Sequence, residues 1–212
     1  TMHCSKKWKN ETKQKVSPLP SGFKDEYGIA VMMYTNHRLY LDFNKAVRRN
    51  GMSLEYYKNN FWYKAFHFYL TRALQLLPKV KRTMQLFRGS KKKFYHRGMG
   101  LMRFGHFGST SQNSVSEMFG TSTFYTINTS LRVDIQNFSF YEYQREVLSP
   151  VNEVFNITPG KEGVHFILNS RKTLACFNCA YKGSDLRRPF LTNPLSLQTK
   201  CSYFFSSFNR IY

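Results

Sequence analysis

Acidic side chains are few: 12 Asp and Glu against 32 Lys and Arg in 212 residues leave a net charge of +20. So basic a chain is drawn to polyanions, whether nucleic acid, glycosaminoglycan, an anionic membrane or a phosphate-bearing ligand. The basic clusters are Lys6-Lys7-Lys9, Lys79-Lys81-Arg82, Lys91-Lys92-Lys93 with His96-Arg97, and Arg187-Arg188. They are scattered and match no nucleic-acid module, so nucleic acid is not the expected partner. A long apolar run is also lacking. The most apolar helical stretch, residues 61–77, is interrupted by Lys64, His67, Arg72 and Gln75, which excludes a spanning helix there. Internal repeats are absent. Cysteine is sparse, with four residues at Cys4, Cys176, Cys179 and Cys201. Cys176-Phe-Asn-Cys179 has the spacing of half a zinc site, but no second paired motif accompanies it, so no metal is expected. No signal peptide opens the chain and no apolar tail closes it, and Thr1 reads as the start of a trimmed fragment.

Aromatic residues are plentiful. Twenty Phe and fourteen Tyr, within a 42% apolar composition, suffice for a core in one substantial domain, and suit a β-rich or mixed fold. Four glycosylation sequons, at Asn10, Asn128, Asn137 and Asn156, accompany the even cysteine count. Together they point to the secretory pathway, with the protein secreted or on the outer face of the plasma membrane.

Residues 1–22 are polar and lysine-rich and close with Pro18-Leu19-Pro20-Ser21-Gly22, which reads as a basic segment and linker. Phe23, Tyr27, Ala30, Val31 and Tyr34 then recur at helical spacing. A second short helix is predicted over 41–49, with Phe43, Ala46 and Val47 inward, broken by Asn50-Gly51. The strongest helix lies over 61–77. Trp62, Phe66, Leu70, Leu74 and Leu77 make its apolar face, and Phe61, Ala65, Tyr69 and Ala73 widen it. Pro78 ends it, and His67 is read as a packed core histidine. Beyond Pro78 the period shortens. Residues 84–88, 101–107, 123–127, 131–135, 147–148, 151–157 and 164–168 are strand-like, with a short helix over 114–119. Helices first and strands second predict an α+β fold, a helical N-terminal half packed on a mostly antiparallel sheet core. Residues 23–180 read as the domain and residues 181–212 as an irregular C-terminal extension.

Chemistry-bearing residues gather in the strand half. Phe87-Arg88-Gly89 sets a planar guanidinium, suited to phosphate or carboxylate, beside a glycine that lets a ligand approach the backbone closely. Arg103-Phe-Gly-His-Phe-Gly-Ser-Thr-Ser111 runs a strand into a hydroxyl-rich turn that equally suits capping of the next helix. Gln144-Arg145-Glu146 puts a carboxylate at the lip of an apolar strand, behind the aromatic run 138–143. A glutamate before a strand is ordinarily a solvated charge. The ordered set of arginine-glycine, hydroxyl turn and carboxylate is much rarer, and suits a small-molecule site.

The set is carried in a longer collinear pattern: Leu19-Pro-Ser-Gly-Phe23, Tyr34-Thr35, the helix 66–77, Phe87-Arg88-Gly89, the 103–111 run, Phe119-Gly120, Glu146-Val-Leu-Ser-Pro150 and Asn178-Cys179. Over residues 19–180 it resembles the vertebrate-type ecto-mono-ADP-ribosyltransferases, whose site uses an arginine, a serine and a glutamate. The resemblance implies a two-sheet ADP-ribosyltransferase-like core and NAD(P)+ as co-substrate, with ADP-ribose passed to an acceptor protein or to water. By it, Glu146, Arg88 and Ser109 form the catalytic set. Arg88 would hold the NAD phosphates, Gly89 would meet the nicotinamide carboxamide through its backbone, Ser109 would support the nicotinamide ribose, and Phe119 would stack on the nicotinamide. Glu146 would bond the ribose hydroxyl and stabilise the positive charge that develops as the glycosidic bond breaks. Neither metal nor covalent nucleophile is required.

Two departures accompany the match, at the position two before Glu146 and in the cysteines. Arginine-specific members carry glutamate two residues before the catalytic one, where this chain has Gln144. An amide can orient an arginine substrate but cannot take its proton, so NAD cleavage is the firmer expectation and hydrolysis its alternative outcome. Tyr141 and Tyr143 stand beside Gln144 on the acceptor side. The family's second disulfide is missing, since Met84-Gln85 and Thr129-Ser130 occupy its positions, and by the resemblance its first would join Cys4 to Cys179. Apart from the match, the high positive charge raises an acidic cell surface as a partner.

Overall fold

The computed structural model describes residues 2–50, 54–79, 84–94, 100–112, 120, 122–160, 164–173 and 209–210. The helices are α1 (Met2–Lys7), a π-helical turn (Trp8–Thr12) and α2 (Lys13–Lys15), which run on as one helical segment, then α3 (Asp25–Tyr34), α4 (His37–Asn50), α5 (Leu54–Asn60) and α6 (Lys64–Leu76). The strands are β1 (Met84–Ser90), β2 (Gly100–Arg103), β3 (Gly108–Ser111), β4 (Thr123–Thr129), β5 (Val133–Asp134), β6 (Glu146–Ser149), β7 (Glu153–Pro159), β8 (His165–Thr173) and β9 (Asn209–Arg210). The α+β order is as the periodicity predicts. No helix among the described residues is long and apolar enough to cross a membrane.

Two elements differ from the sequence reading for local reasons. Residues 1–22 read as a basic segment and linker, yet Cys4, Trp8 and Thr12, one helical turn apart each, are buried while Lys6 and Lys9 between them face outward. In the predicted helix 61–77, Trp62 belongs to the apolar face by spacing but is 91% exposed. The helix begins only at Lys64, so Trp62 lies outside its phase, while Phe61 turns in to the core. Asp25 and Glu26 in the first turn of α3 favour its start electrostatically, and Leu77 adopts an extended conformation before Pro78, ending α6 where expected.

Among the described residues the strands lie in the order β5-β6-β3-β1-β4-β8-β7-β2-β9. Neighbours are antiparallel except for the parallel pairs β4–β8 and β2–β9. The expected division into two sheets is not confirmed, since the described strands pair into one ladder. It narrows at β1–β3, which meet at the pair Phe87↔Ser111. Met84 lies opposite Thr129 in the β1–β4 register, so main-chain pairing joins the positions where the family's second disulfide was expected.

Among the described residues two apolar clusters form the core. One packs the helices (Trp8, Val31, Tyr34, Phe43, Leu70, Leu74) on Phe107 and Leu148, and the other lies among strands (Leu86, Met102, Phe104, Tyr125, Val147, Phe155). Val147 and Leu148 are consecutive on β6 yet belong to different clusters, as strand alternation requires. The residues of interest sit at the seam between the two.

Candidate active site

Glu146 opens β6 opposite Ser111 of β3, and Ser109 lies two residues further along β3 on the same face. That diagonal brings the side chains together: Ser109 Oγ donates to Glu146 Oε1 at 2.6 Å. The segment 108–111, read from sequence as a hydroxyl-rich turn, is instead strand β3, and the register is what aims Ser109 at the carboxylate. Arg88 arrives from β1 across the narrow part of the ladder. Its Nη1 donates to the Ser109 carbonyl at 2.8 Å, and its guanidinium lies over the Phe104 ring, 5.3 Å from the centroid. Arg88, Ser109 and Glu146 thus meet in one place from three strands. Gly89 follows Arg88 on β1, opposite Phe124. Phe119 and the predicted helix 114–119 lie outside the described residues, as do Cys176, Cys179 and Cys201.

Glu146 is only 9% exposed, and burial raises its pKa above the ordinary glutamate value against the opposing pull of the Ser109 hydrogen bond and the Arg88 charge. A hydroxyl network braces the site from the helical side. Tyr34 on α3 donates to the Phe107 carbonyl at 3.0 Å and accepts from Asn44 Nδ2 of α4 at 2.9 Å, with Ser109 Oγ 3.5 Å away. Burial pushes the Tyr34 phenol far above its usual pKa, so it remains a neutral donor. Burial disfavours the Arg88 charge, while a hydrogen bond with Tyr40 favours it.

Sequence reasoning missed Tyr40, Asn44 and Arg48, which column along α4 at four-residue spacing beside the apolar Phe43 and Val47. Polar groups at an inward helical phase were the available signal. Arg48 lies against Gly105, which holds a left-handed φ of 68°, and its Nε is buried with no hydrogen-bond partner. Burial and the nearby Arg88 charge lower the Arg48 pKa. His106, fully enclosed, donates Nδ1–H to the Phe107 carbonyl at 2.6 Å, and burial with the two arginines keeps it neutral. Two guanidiniums therefore converge, and neither takes part in the ion pairs Lys13–Asp25 and Lys15–Glu142. A phosphate group is the anion such a fork fits. His67, by contrast, is packed among Phe43, Phe61 and Phe107, and burial lowers its pKa to about 4.

The lip of the site is a 3-10 turn (Glu142–Gln144) ending on Arg145 at φ 44°. Ser111 Oγ donates to the Gln144 carbonyl at 3.3 Å, tying the turn to β3. Tyr143 is 67% exposed and meets Tyr141 edge-on, with ring centroids 6.1 Å apart. Among the described residues no group of three or more His, Cys, Asp or Glu side chains converges to hold a metal.

Residues 2–175 match the family model described as NAD:arginine ADP-ribosyltransferase. The chain belongs to that family. This NAD:arginine ADP-ribosyltransferase family member is 41% identical to rat ecto-ADP-ribosyltransferase 5 over 184 residues, 80% of this chain and 60% of that protein. It is 38% identical to the human ecto-ADP-ribosyltransferase 5 over 207 residues, covering 89% of this chain and 70% of that protein. A rabbit GPI-linked NAD(P)(+)–arginine ADP-ribosyltransferase 1 is 38% identical over 79% of this chain and 54% of its own length. The chain thus spans about 60% of the length of the rat relative. Among solved structures, the eukaryotic mono-ADP-ribosyltransferase ART2.2, a point mutant in complex with NAD, superposes with a TM-score of 0.75 at 36% identity, covering 85% of this chain and 80% of that one. An ADP-ribosyltransferase from Clostridium botulinum, at 18% identity and a TM-score of 0.52, shares the fold over 80% of this chain and 94% of its own.

Proposed function

We propose that the chain cleaves the nicotinamide glycosidic bond of NAD(P)+ and passes ADP-ribose to a protein side chain, arginine by family, or to water. The observation that carries this reading is the 2.6 Å Ser109–Glu146 hydrogen bond beside Arg88, in a family whose solved relatives bind NAD. The bond breaks with its electron pair leaving on nicotinamide, so the ribosyl fragment becomes an oxocarbenium cation. A buried, oriented carboxylate stabilises that cation more than it does the neutral ribose. Ser109 fixes the carboxylate's orientation, and Gly89 leaves room at the nicotinamide end. Arg88 and Arg48 take the two phosphates. The nucleophile then adds to the cation and releases a proton. Gln144 cannot accept that proton from a guanidinium, which favours hydrolysis as the second reading.

Nicotinamide release from NAD, measured with and without agmatine, tests the proposal: turnover without any agmatine product marks the glycohydrolase, and no turnover sinks both readings. Gln144→Glu should raise the fraction transferred to agmatine. An unchanged fraction would remove position 144 from acceptor choice. Arg88→Lys keeps the charge but loses the fork, and should raise the KM for NAD about 10-fold or more with a smaller change in kcat. A KM equal to that of the unmodified protein would take the phosphates away from Arg88. Two of the relatives' names, ecto- and GPI-linked, suit the extracellular placement that the sequons suggest, and we place this chain on that side of the membrane.

A further inference from the structure

The N-terminal helical segment reaches the loop that carries Tyr141, Tyr143 and Gln144. His3 stacks on Phe140, with ring centroids 5.6 Å apart and planes 14° from parallel. The Lys7 ammonium lies 4.9 Å from the centroid of the same ring. Lys15 forms an ion pair with Glu142. At the root of the loop, Trp8 stacks on Phe138 at 5.9 Å. From the other flank, the Phe140 N–H donates to Thr35 Oγ1 at 3.2 Å.

Residues 138, 140 and 142 are gripped by the helical segment, and Tyr141 meets Tyr143 edge-on. The loop's own backbone supplies little rigidity, since its regular parts are two three-residue 3-10 turns (Gln136–Phe138 and Glu142–Gln144). Its pose is set from outside, by Thr35 on α3, by Ser111 on β3 and by the His3, Lys7, Trp8 and Lys15 side chains of the helical segment.

We propose that the N-terminal helical segment is the positioning clamp of the acceptor loop: by holding Phe140 and Glu142 it sets the division of ADP-ribose between an acceptor and water. The inference rests on the NAD-cleaving reading above. A misplacement of the acceptor side chain by about 1 Å suffices to change a transfer rate by up to two orders of magnitude. Cation formation at Glu146 does not involve the loop tip.

The test measures total nicotinamide release, agmatine ADP-ribosylation, and amide hydrogen exchange over residues 138–145 in the same set of variants. Lys15→Glu should lower the agmatine fraction about threefold, in line with one exposed ion pair. The swapped pair Lys15→Glu with Glu142→Lys should restore it. His3→Ala/Lys7→Ala/Lys15→Ala should lower the fraction about tenfold and speed exchange in the loop, while total nicotinamide release stays within about twofold. Rescue by the swap is something a loss of general stability would not produce. An unchanged agmatine fraction, an unchanged loop exchange, or a parallel fall of transfer and total release would each overturn the clamp. So would a wild-type protein that releases nicotinamide yet labels no agmatine. A wild-type protein that releases no nicotinamide fails earlier, at the proposed function, and overturns the clamp with it.

Discussion

Glu146→Gln should yield a folded protein that releases nicotinamide from NAD about 10²–10³-fold more slowly. The amide is the same size as the carboxylate and its oxygen can still accept from Ser109 Oγ, so the 2.6 Å contact survives in kind. What disappears is the negative charge facing the ribosyl cation. The stability change should run the other way. Burial raises the folded pKa of Glu146 above its unfolded value, so the group's contribution to stability is full below the unfolded pKa and is lost as pH rises through the folded one. At neutral pH the ionised carboxylate is therefore a cost that glutamine removes, and thermal melting at pH 7 should be equal or higher in the variant. The same raised pKa sets the acid limb of the wild-type rate: nicotinamide release should fall with decreasing pH already above the ordinary glutamate range, and Glu146→Gln should flatten that limb. Turnover within about tenfold of wild type in a folded variant would remove Glu146 from the chemistry.

The site was readable in residue types and order, less so in geometry. Ser109 stands 21 residues beyond Arg88 and Glu146 another 37 beyond Ser109, and nothing local marks the hydroxyl run containing Ser109 as a strand. Ser, Thr and Gly are turn residues by local preference, and only pairing with β6 overrides it. Trp62 shows a different failure. An apolar pattern gives the phase of a helix but not its first residue, and a three-residue error in the start puts the largest side chain on the wrong face. At the N-terminus the fault lies in composition. A lysine-rich stretch reads as solvated, and the narrow stripe of Cys4, Trp8 and Thr12 is too thin to register against it. The polar column of α4 is hidden the opposite way, since polar Tyr40, Asn44 and Arg48 read as solvated by type although they share the inward phase of Phe43 and Val47.

Trp8→Ala should destabilise the protein by about 3–5 kcal/mol, the range for deleting a buried indole. Trp8 is 0% exposed; it packs against Phe23 and Phe138 and donates Nε1–H to Asp25 Oδ1 at 3.0 Å. Its removal opens a cavity in the helical cluster and should lower the melting temperature by about 6–20 °C. The indole also lies against Gly28 of α3, where an added Cβ would fall 2.1 Å from the ring. That contact makes a sign-reversal test possible. Gly28→Ala alone drives a methyl into the ring and should also destabilise, because neither helix can retreat without opening the core. In the Trp8→Ala background the methyl enters the vacated space, and alanine replaces glycine within a helix, a change worth about 0.5–1 kcal/mol in favour of folding. Gly28→Ala should therefore be destabilising with Trp8 present and neutral or stabilising without it, a coupling that chemical denaturation of the four proteins resolves directly. Additive effects would mean that the indole does not lie on Gly28, and with that the anchoring of the N-terminal helical segment in the core would fall. If the coupling holds, a segment rich in exposed lysines is anchored in the core by its buried indole beside Cys4 and Thr12, which explains how it can brace the acceptor loop from outside.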